Sequence, residues 1–162
     1  MHPNAQLIED FYSAFAKRDT VAMIACYHDD IVFEDPAFGK LQGDRAKAMW
    51  EMLIDRGQSS TTIIASNIKA DDTKGTASWV ANYVYGLNER KVENHIQASF
   101  EFTDHKISKH TDIFDMWKWS RQAIGPAGYF LGWSSFMRTK IRKTTETALD
   151  RFMQNRNHKK TP

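Results

Sequence analysis

Residues 61–114 read TTIIASNIKADDTKGTASWVANYVYGLNERKVENHIQASFEFTDHKISKHTDIF. The runs TTIIASNIKA, TASWVANYVYGL, VENHIQASFEF and ISKHTDIF are rich in β-branched and aromatic residues, which suit a pleated, half-buried backbone. Between them lie DDTKG, NERK and TDHK, which are short and polar. That spacing predicts an antiparallel meander of four strands. In its last turn His105 stands where a positive φ is expected, a conformation that His tolerates better than a branched residue does.

Outward from the meander the pattern turns helical on both sides. Upstream, Leu7, Ile8, Phe11, Tyr12 and Phe15 recur at helical spacing behind Asn4, a candidate cap. A second short helix is expected from Asp19 or Thr20, burying Met23, Ile24 and Tyr27. The strand IVFED then stops at Pro36, which cannot continue a ladder. PAFGKLQG reads as a loop leading to Asp44, the expected cap of a third helix with Ala46, Met49, Trp50, Leu53 and Ile54 as its apolar stripe. Downstream, FDMWKWSRQAIG and SSFMRTKIRKTTETALDRFM are amphipathic, with GPAGYFLGW between them. The fold class expected is α+β: a curved antiparallel sheet wrapped around the N-terminal helices as a cone, with an added C-terminal helical segment. Residues 1–154 are expected to form one domain and 155–162 a disordered basic tail.

Composition narrows the function. The chain has 162 residues, 41% hydrophobic and 12% aromatic, enough for a real core. Its formal net charge of +2 argues against a nucleic-acid partner. Cys26 is the only cysteine, which excludes an internal disulfide and a cysteine-cluster zinc site and fits a cytoplasmic setting. The longest uncharged stretch, Gln122 to Met137, is broken by Gly125, Pro126, Gly128 and Gly132, so no transmembrane segment is expected.

The segments LIEDFYSAFAKRDTVAMIACYHDDIVFEDP and GDRAKAMWEML, continued by ASWVANYVYG, VENHIQASFEF and KISKHTDIFD, resemble the NTF2-like superfamily. That superfamily includes the ketosteroid isomerases and the SnoaL-like polyketide cyclases. The segment FDMWKWSRQAIGPAGYFLGW is similar to a bacterial SnoaL-like subgroup. The resemblance implies an NTF2-like cone, a homodimer and an apolar pocket for a hydrophobic small molecule. It also implies cofactor-independent acid/base chemistry of the isomerase, dehydratase, cyclase or epoxide hydrolase type. The alternative is a non-catalytic binding or dimerisation module, since this fold hosts both.

By that resemblance Asp35 in VFEDP matches the general base of the ketosteroid isomerases, which moves a proton beside a carbonyl. Read without it, Asp35 starts the turn at Pro36. The isomerase's oxyanion donors, however, are replaced by Phe11 and Ala98, so steroid isomerisation proper is not expected. Tyr12 is adjacent to Phe11 but turned by about 100° around a helix. In KHTDIF, His110, Asp112 and Phe114 share one strand face, making His110 and Asp112 either an acid/base pair or a buried structural pair. Asp112 also resembles the acid of the epoxide hydrolase and SnoaL-like branches. No metal site is expected, because His95 alternates with Ile96, Ala98 and Phe100 and so faces outward.

Candidate ligand-binding residues are Tyr12, Phe11, Trp50, Trp79, Tyr83, Asn94 and Ala98. Parity alone leaves open whether the row of Trp79 and Tyr83 or that of Ser78 and Val80 is inside. The polar row His95, Gln97, Ser99 and Glu101 suits a wet homodimer face. The basic C-terminal helix is expected to pack over the cone or a partner subunit; membrane-surface contact by its apolar stripe, with Tyr129, Phe130, Leu131, Trp133 and Phe136 just before it, is the less favoured reading.

Overall fold

The computed structural model describes residues 1–57, 59–132 and 134–160. In chain order it runs α1 (Pro3–Ala16), α2 (Thr20–Ala25), β1 (Tyr27–Asp35), β2 (Gly39–Gln42), α3 (Asp44–Arg56), β3 (Thr62–Ala70), β4 (Lys74–Tyr85), β5 (Arg90–Thr103), β6 (Lys106–Ile113), α4 (Met116–Ala123), α5 (Pro126–Leu131) and α6 (Ser135–Lys160). The expected meander is β3 to β6, and His105 takes φ 59° in its last turn. The sheet has six strands in the order β2-β1-β6-β5-β4-β3, curved and unclosed. Every neighbouring pair is antiparallel except β1 with β6.

The inward face of the sheet settles the parity question. Ala77, Trp79 and Ala81 are buried, as are Ile96, Ala98 and Phe100 opposite them, and α1 and α3 fill the concave side with Ile8, Phe11, Met49 and Trp50. Rows of alternate burial such as these follow from the two-residue period of a strand with one face on the core. His95 is exposed and paired with Glu93, as the alternation requires.

Several local expectations are corrected. The cap of α1 is His2, whose Nδ1 accepts from Asn4 N–H, because Pro3 starts the helix before Asn4. The Asn4 amide instead donates to the carbonyls of Asp71 and Asp72. Gly43 (φ 56°), not Asp44, precedes α3, and the Asp44 carboxylate faces Arg156. Part of PAFGKLQG is strand: Asp35 accepts from Phe38 N–H, the chain doubles back, and β2 pairs with β1 from Asp35↔Gly39 to Val32↔Gln42. Of the tail expected from residue 155 onward, residues 155–160 continue α6, with Arg156 bridging Asp44 and Glu51 on α3, and residues 161–162 lie outside the described residues.

The apolar stripe of α6 is spent inside the protein. Met137, Ile141 and Leu149 are buried, Thr145 donates to the carbonyl of Ala37, and Arg142 lies against Gly39. This helix therefore lies over α3 and the β1–β2 hairpin. Tyr27, expected on the second helix, begins β1 and is buried. Cys26 is also buried; burial, the nearby Asp10 charge adding to it, pushes its thiol up to about 11, so no thiolate nucleophile stands there.

Candidate functional site

The site grows out of the parallel junction of β1 and β6. Phe33 pairs with His110 and Glu34 with Thr111, a register that carries Asp35 to the level of Asp112 at the ends of the two strands. Neighbouring strands lie about 4.8 Å apart. Asp35 shares its face with buried Phe33, and Asp112 shares its face with buried His110. Both acids consequently project to the concave side, next to one another. Asp112 also stands opposite Ala98 in the pairing of β6 with β5.

His110 is fully buried in an aromatic cage. Phe100 lies 4.4 Å away between ring centroids, Phe33 5.2 Å, Phe11 5.4 Å, and Trp50 stacks at 5.9 Å. Its Nδ1 is 2.7 Å from the Tyr27 hydroxyl, which accepts from Trp50 Nε1 at 2.9 Å. Its Nε2 is 3.0 Å from Asp112 Oδ1, which also accepts from Trp79 Nε1 at 3.2 Å. One proton arrangement satisfies every donor: Tyr27 O–H donates to Nδ1, and Nε2–H donates to Asp112. A doubly protonated ring would leave the Tyr27 hydroxyl proton without an acceptor. The chain Trp50–Tyr27–His110–Asp112–Trp79 thus aims a carboxylate and fixes a tautomer.

Asp35 is held differently. Its Oδ1 takes the Phe38 N–H of the turn, and it retains an exposed edge. Burial pushes its pKa up to about 7, against the lowering effect of the Phe38 N–H; the Asp112 charge adds to the rise and Arg142 opposes it. At neutral pH such a carboxyl can either give or take a proton.

Tyr12, set beside Phe11 on α1, also points inward. It is buried against Trp79 (5.6 Å) and Phe100 (6.3 Å), and its hydroxyl has no hydrogen-bond partner among the described residues. Burial, then the charge of Asp112, raises its pKa far above the usual value, so the proton stays on and is available to donate. Buried hydroxyls are seldom left unpaired.

The remaining candidates divide. Phe11, Trp50 and Ala98 lie fully in the core around His110 and Asp112. Tyr83 is half-buried on the inner row, accepting from Trp119 Nε1 at 2.7 Å, and burial lifts its pKa. Asn94 is half-buried in register with Ala81. Sequence reasoning missed Tyr27, Arg142 and Trp119. Two surface clefts lie elsewhere, one lined by Arg90, Lys118 and Arg121 and the other by Val21, Ile24 and Phe152.

Residues 8–110 match the SnoaL-like domain family, well over half of the chain. The chain belongs to the SnoaL-like family. Its fold is the NTF2-like, ketosteroid isomerase-like cone. Similar solved structures include a polyketide cyclase-like protein of Pseudomonas putida (TM-score 0.63, 20% identity, covering 76% of this chain and 98% of that one). An LEH-like epoxide hydrolase of M. tuberculosis is similar over 75% of this chain and 90% of its own (TM-score 0.61, 20% identity). TerC, co-crystallised with polyporic acid, is similar over 70% and 92% (TM-score 0.60, 17% identity). No curated protein sequence matches the chain. The family match ends at His110, so α4, α5 and α6 lie beyond it.

Proposed function

We propose that the concave end of the sheet around Asp35 and Asp112 is a cofactor-independent acid/base site for a hydrophobic small molecule bearing a carbonyl or epoxide oxygen. The observation that carries this reading is the placement of the two acids abreast on β1 and β6, both turned inward. Asp35 takes a proton from the carbon next to the carbonyl, and the Tyr12 hydroxyl donates to the oxygen as negative charge builds on it. The protonated Asp35 then returns the proton to another carbon, so the enzyme is unchanged. On an epoxide, Asp112 accepts the proton of an attacking water while protonated Asp35 gives its proton to the opening ring oxygen, and exchange with solvent then returns the proton from Asp112 to Asp35. Asp112 Oδ2, which takes no hydrogen bond from a described residue, is the atom for that role. His110 and Trp79 are positioning residues, because they act on Asp112 and not on the ligand. Tyr83 and Arg142 stand near enough to Asp35 to interact with its charge, and the half-buried edge of Asp35 is the side on which the ligand would meet it.

A second reading is a non-catalytic binding module. It is favoured by the fact that each acid spends one oxygen on structure, Asp35 on Phe38 N–H and Asp112 on Trp79 and His110. Deuterium wash-in at the α-carbons of hydrophobic ketones, and ring opening of hydrophobic epoxides, followed by proton NMR, separate the two. Acid/base chemistry predicts turnover in the native chain, lost in Asp35→Asn and Asp112→Asn while both variants melt cooperatively. Ligands that shift the melting temperature without any exchange or ring opening would establish the binding module instead.

Homodimerisation through the outer sheet face belongs to the same reading. Exposed Ile64 and Ile113 stand there among His95, Gln97, Ser99 and Glu101, a mixed surface suited to a wet interface. Sedimentation should return twice the chain mass. A reducing cytoplasm suits the single thiol of Cys26.

A further inference from the structure

The α4–α5 hairpin inverts the usual rule for a surface helix. Gly128 faces α4 so closely that a Cβ there would lie 2.0 Å from the carbonyl oxygen of Ser120. With glycine on the packed side, the bulky residues of α5 turn outward: Tyr129 is 54% exposed, Phe130 69% and Leu131 45%. Phe136, at the start of α6, is 68% exposed, and Trp117 on α4 is 39% exposed. Clusters of this kind on a monomer surface mark an interaction site.

Beside the cluster is a cleft of about 690 Å³ lined by Arg90, Lys91, Lys118, Arg121, Asn88, Gln122 and Tyr129. Among the described residues its lining contains four cations and no acid, in a chain whose net charge is only +2. Of the carboxylates nearby, Glu89 lies between Asn88 and Arg90 in the chain, and Glu93, which feels Lys118, is paired with His95. The guanidinium of Arg121 lies 4.2 Å over the Trp117 ring, and its Nε is buried without a partner among the described residues.

We propose that this end of the molecule docks on an anionic membrane surface, the cleft taking lipid phosphates while Tyr129, Phe130, Leu131 and Phe136 enter the interfacial layer. A free phosphate ester would account for the cations but not for the adjacent aromatic and aliphatic residues. Lipid accounts for both, since aromatic side chains settle at the headgroup level and basic groups are drawn to anionic lipid. No helix among the described residues is long and apolar enough to cross a bilayer, so the contact is peripheral. Of the segment whose membrane contact the sequence suggested, Tyr129, Phe130, Leu131 and Phe136 are exposed, whereas the apolar stripe of α6 is buried in the fold.

Vesicle flotation of the full chain tests this directly. Vesicles containing about a third phosphatidylglycerol should bind it at least about tenfold better than phosphatidylcholine alone, with loss in high salt. Lys91→Glu with Lys118→Glu, both exposed, should weaken binding at least about tenfold, and Phe130→Ser with Leu131→Ser should do likewise at unchanged charge. Circular dichroism melts check that these surface variants remain folded. Equal flotation with both vesicle types, or binding unchanged in folded variants, would overturn the proposal. So would resonance shifts of cleft residues by inorganic phosphate without vesicle binding, which would make the cleft a site for a soluble phosphate. Self-association lost in the Phe130 variant without any vesicle binding would reassign the aromatic patch to a protein interface.

Discussion

Asp35 and Tyr27 show what single groups contribute to the concave face. Asp35 titrates at about 7 in the folded chain against an ordinary 3.8, because burial penalises its charged form. Between those values the native state holds a proton that the unfolded chain has lost, so the contribution of Asp35 to stability falls as pH rises from about 4 to about 7 and is level above. The whole shift corresponds to about 4 kcal/mol, less whatever water screens at the exposed edge. Asp35→Asn keeps an oxygen for the Phe38 N–H and cannot ionise. Urea melts should therefore show it more stable than the native chain at pH 8, by at least about 1 kcal/mol, with the gap closing below pH ~4. A stability gap between Asp35→Asn and the native chain that does not change between pH 4 and pH 8 would refute the assignment. Tyr27→Phe makes a different demand, since it strands both Trp50 Nε1–H and His110 Nδ1 in the core. A loss of about 2 kcal/mol is expected, and under about 0.5 would show that the chain tolerates the gap. Strand parity made His110 and Asp112 legible from the sequence, since alternate residues share a face. Tyr27 and Arg142 were not legible, because their partners come from distant segments and no local pattern encodes such meetings.

At the scale of elements, α4 and α5 are joined by close approach of backbone to backbone. Gly128→Ala would put a methyl group 2.0 Å from a carbonyl oxygen that cannot swing aside. Gly75→Ala is the contrast: its nearest neighbour is the Cδ1 end of Ile8, at 2.7 Å, which can turn away. Thermal melts should show a loss of at least about 2 kcal/mol for Gly128→Ala and a smaller one for Gly75→Ala. The reverse order would mean that α4 and α5 separate freely. The meander and the main helices were readable because each carries its own periodicity over many residues. β2 was not, because a strand of four residues next to a proline turn has no period to display, and the Asp35 turn decides its direction. The end of α6 escaped for a related reason: its polar composition reads as frayed until Arg156 finds Asp44 and Glu51.

For the molecule as a whole, the C-terminal helix is part of the core and not an appendage. Met137, Ile141 and Leu149 bury against the domain, each side chain worth roughly 2 kcal/mol on transfer. A chain ending at Ser134 should lose several kcal/mol of stability and bind a hydrophobic dye that the full chain excludes. Full stability in the shortened chain would make α6 dispensable. The parallel join of β1 to β6 has a further consequence, one of time. Asp35 and Asp112 sit at either end of a long loop that contains α3 and the greater part of the meander, so their meeting is a contact of high sequence separation. Such contacts repay their loop-closure entropy late and slow the folding of the domains that depend on them. During synthesis β1 leaves the ribosome well before β6 exists to receive it. Asp35 must wait in an incomplete sheet, and the concave end where it meets Asp112 is among the last parts of the protein to come into being.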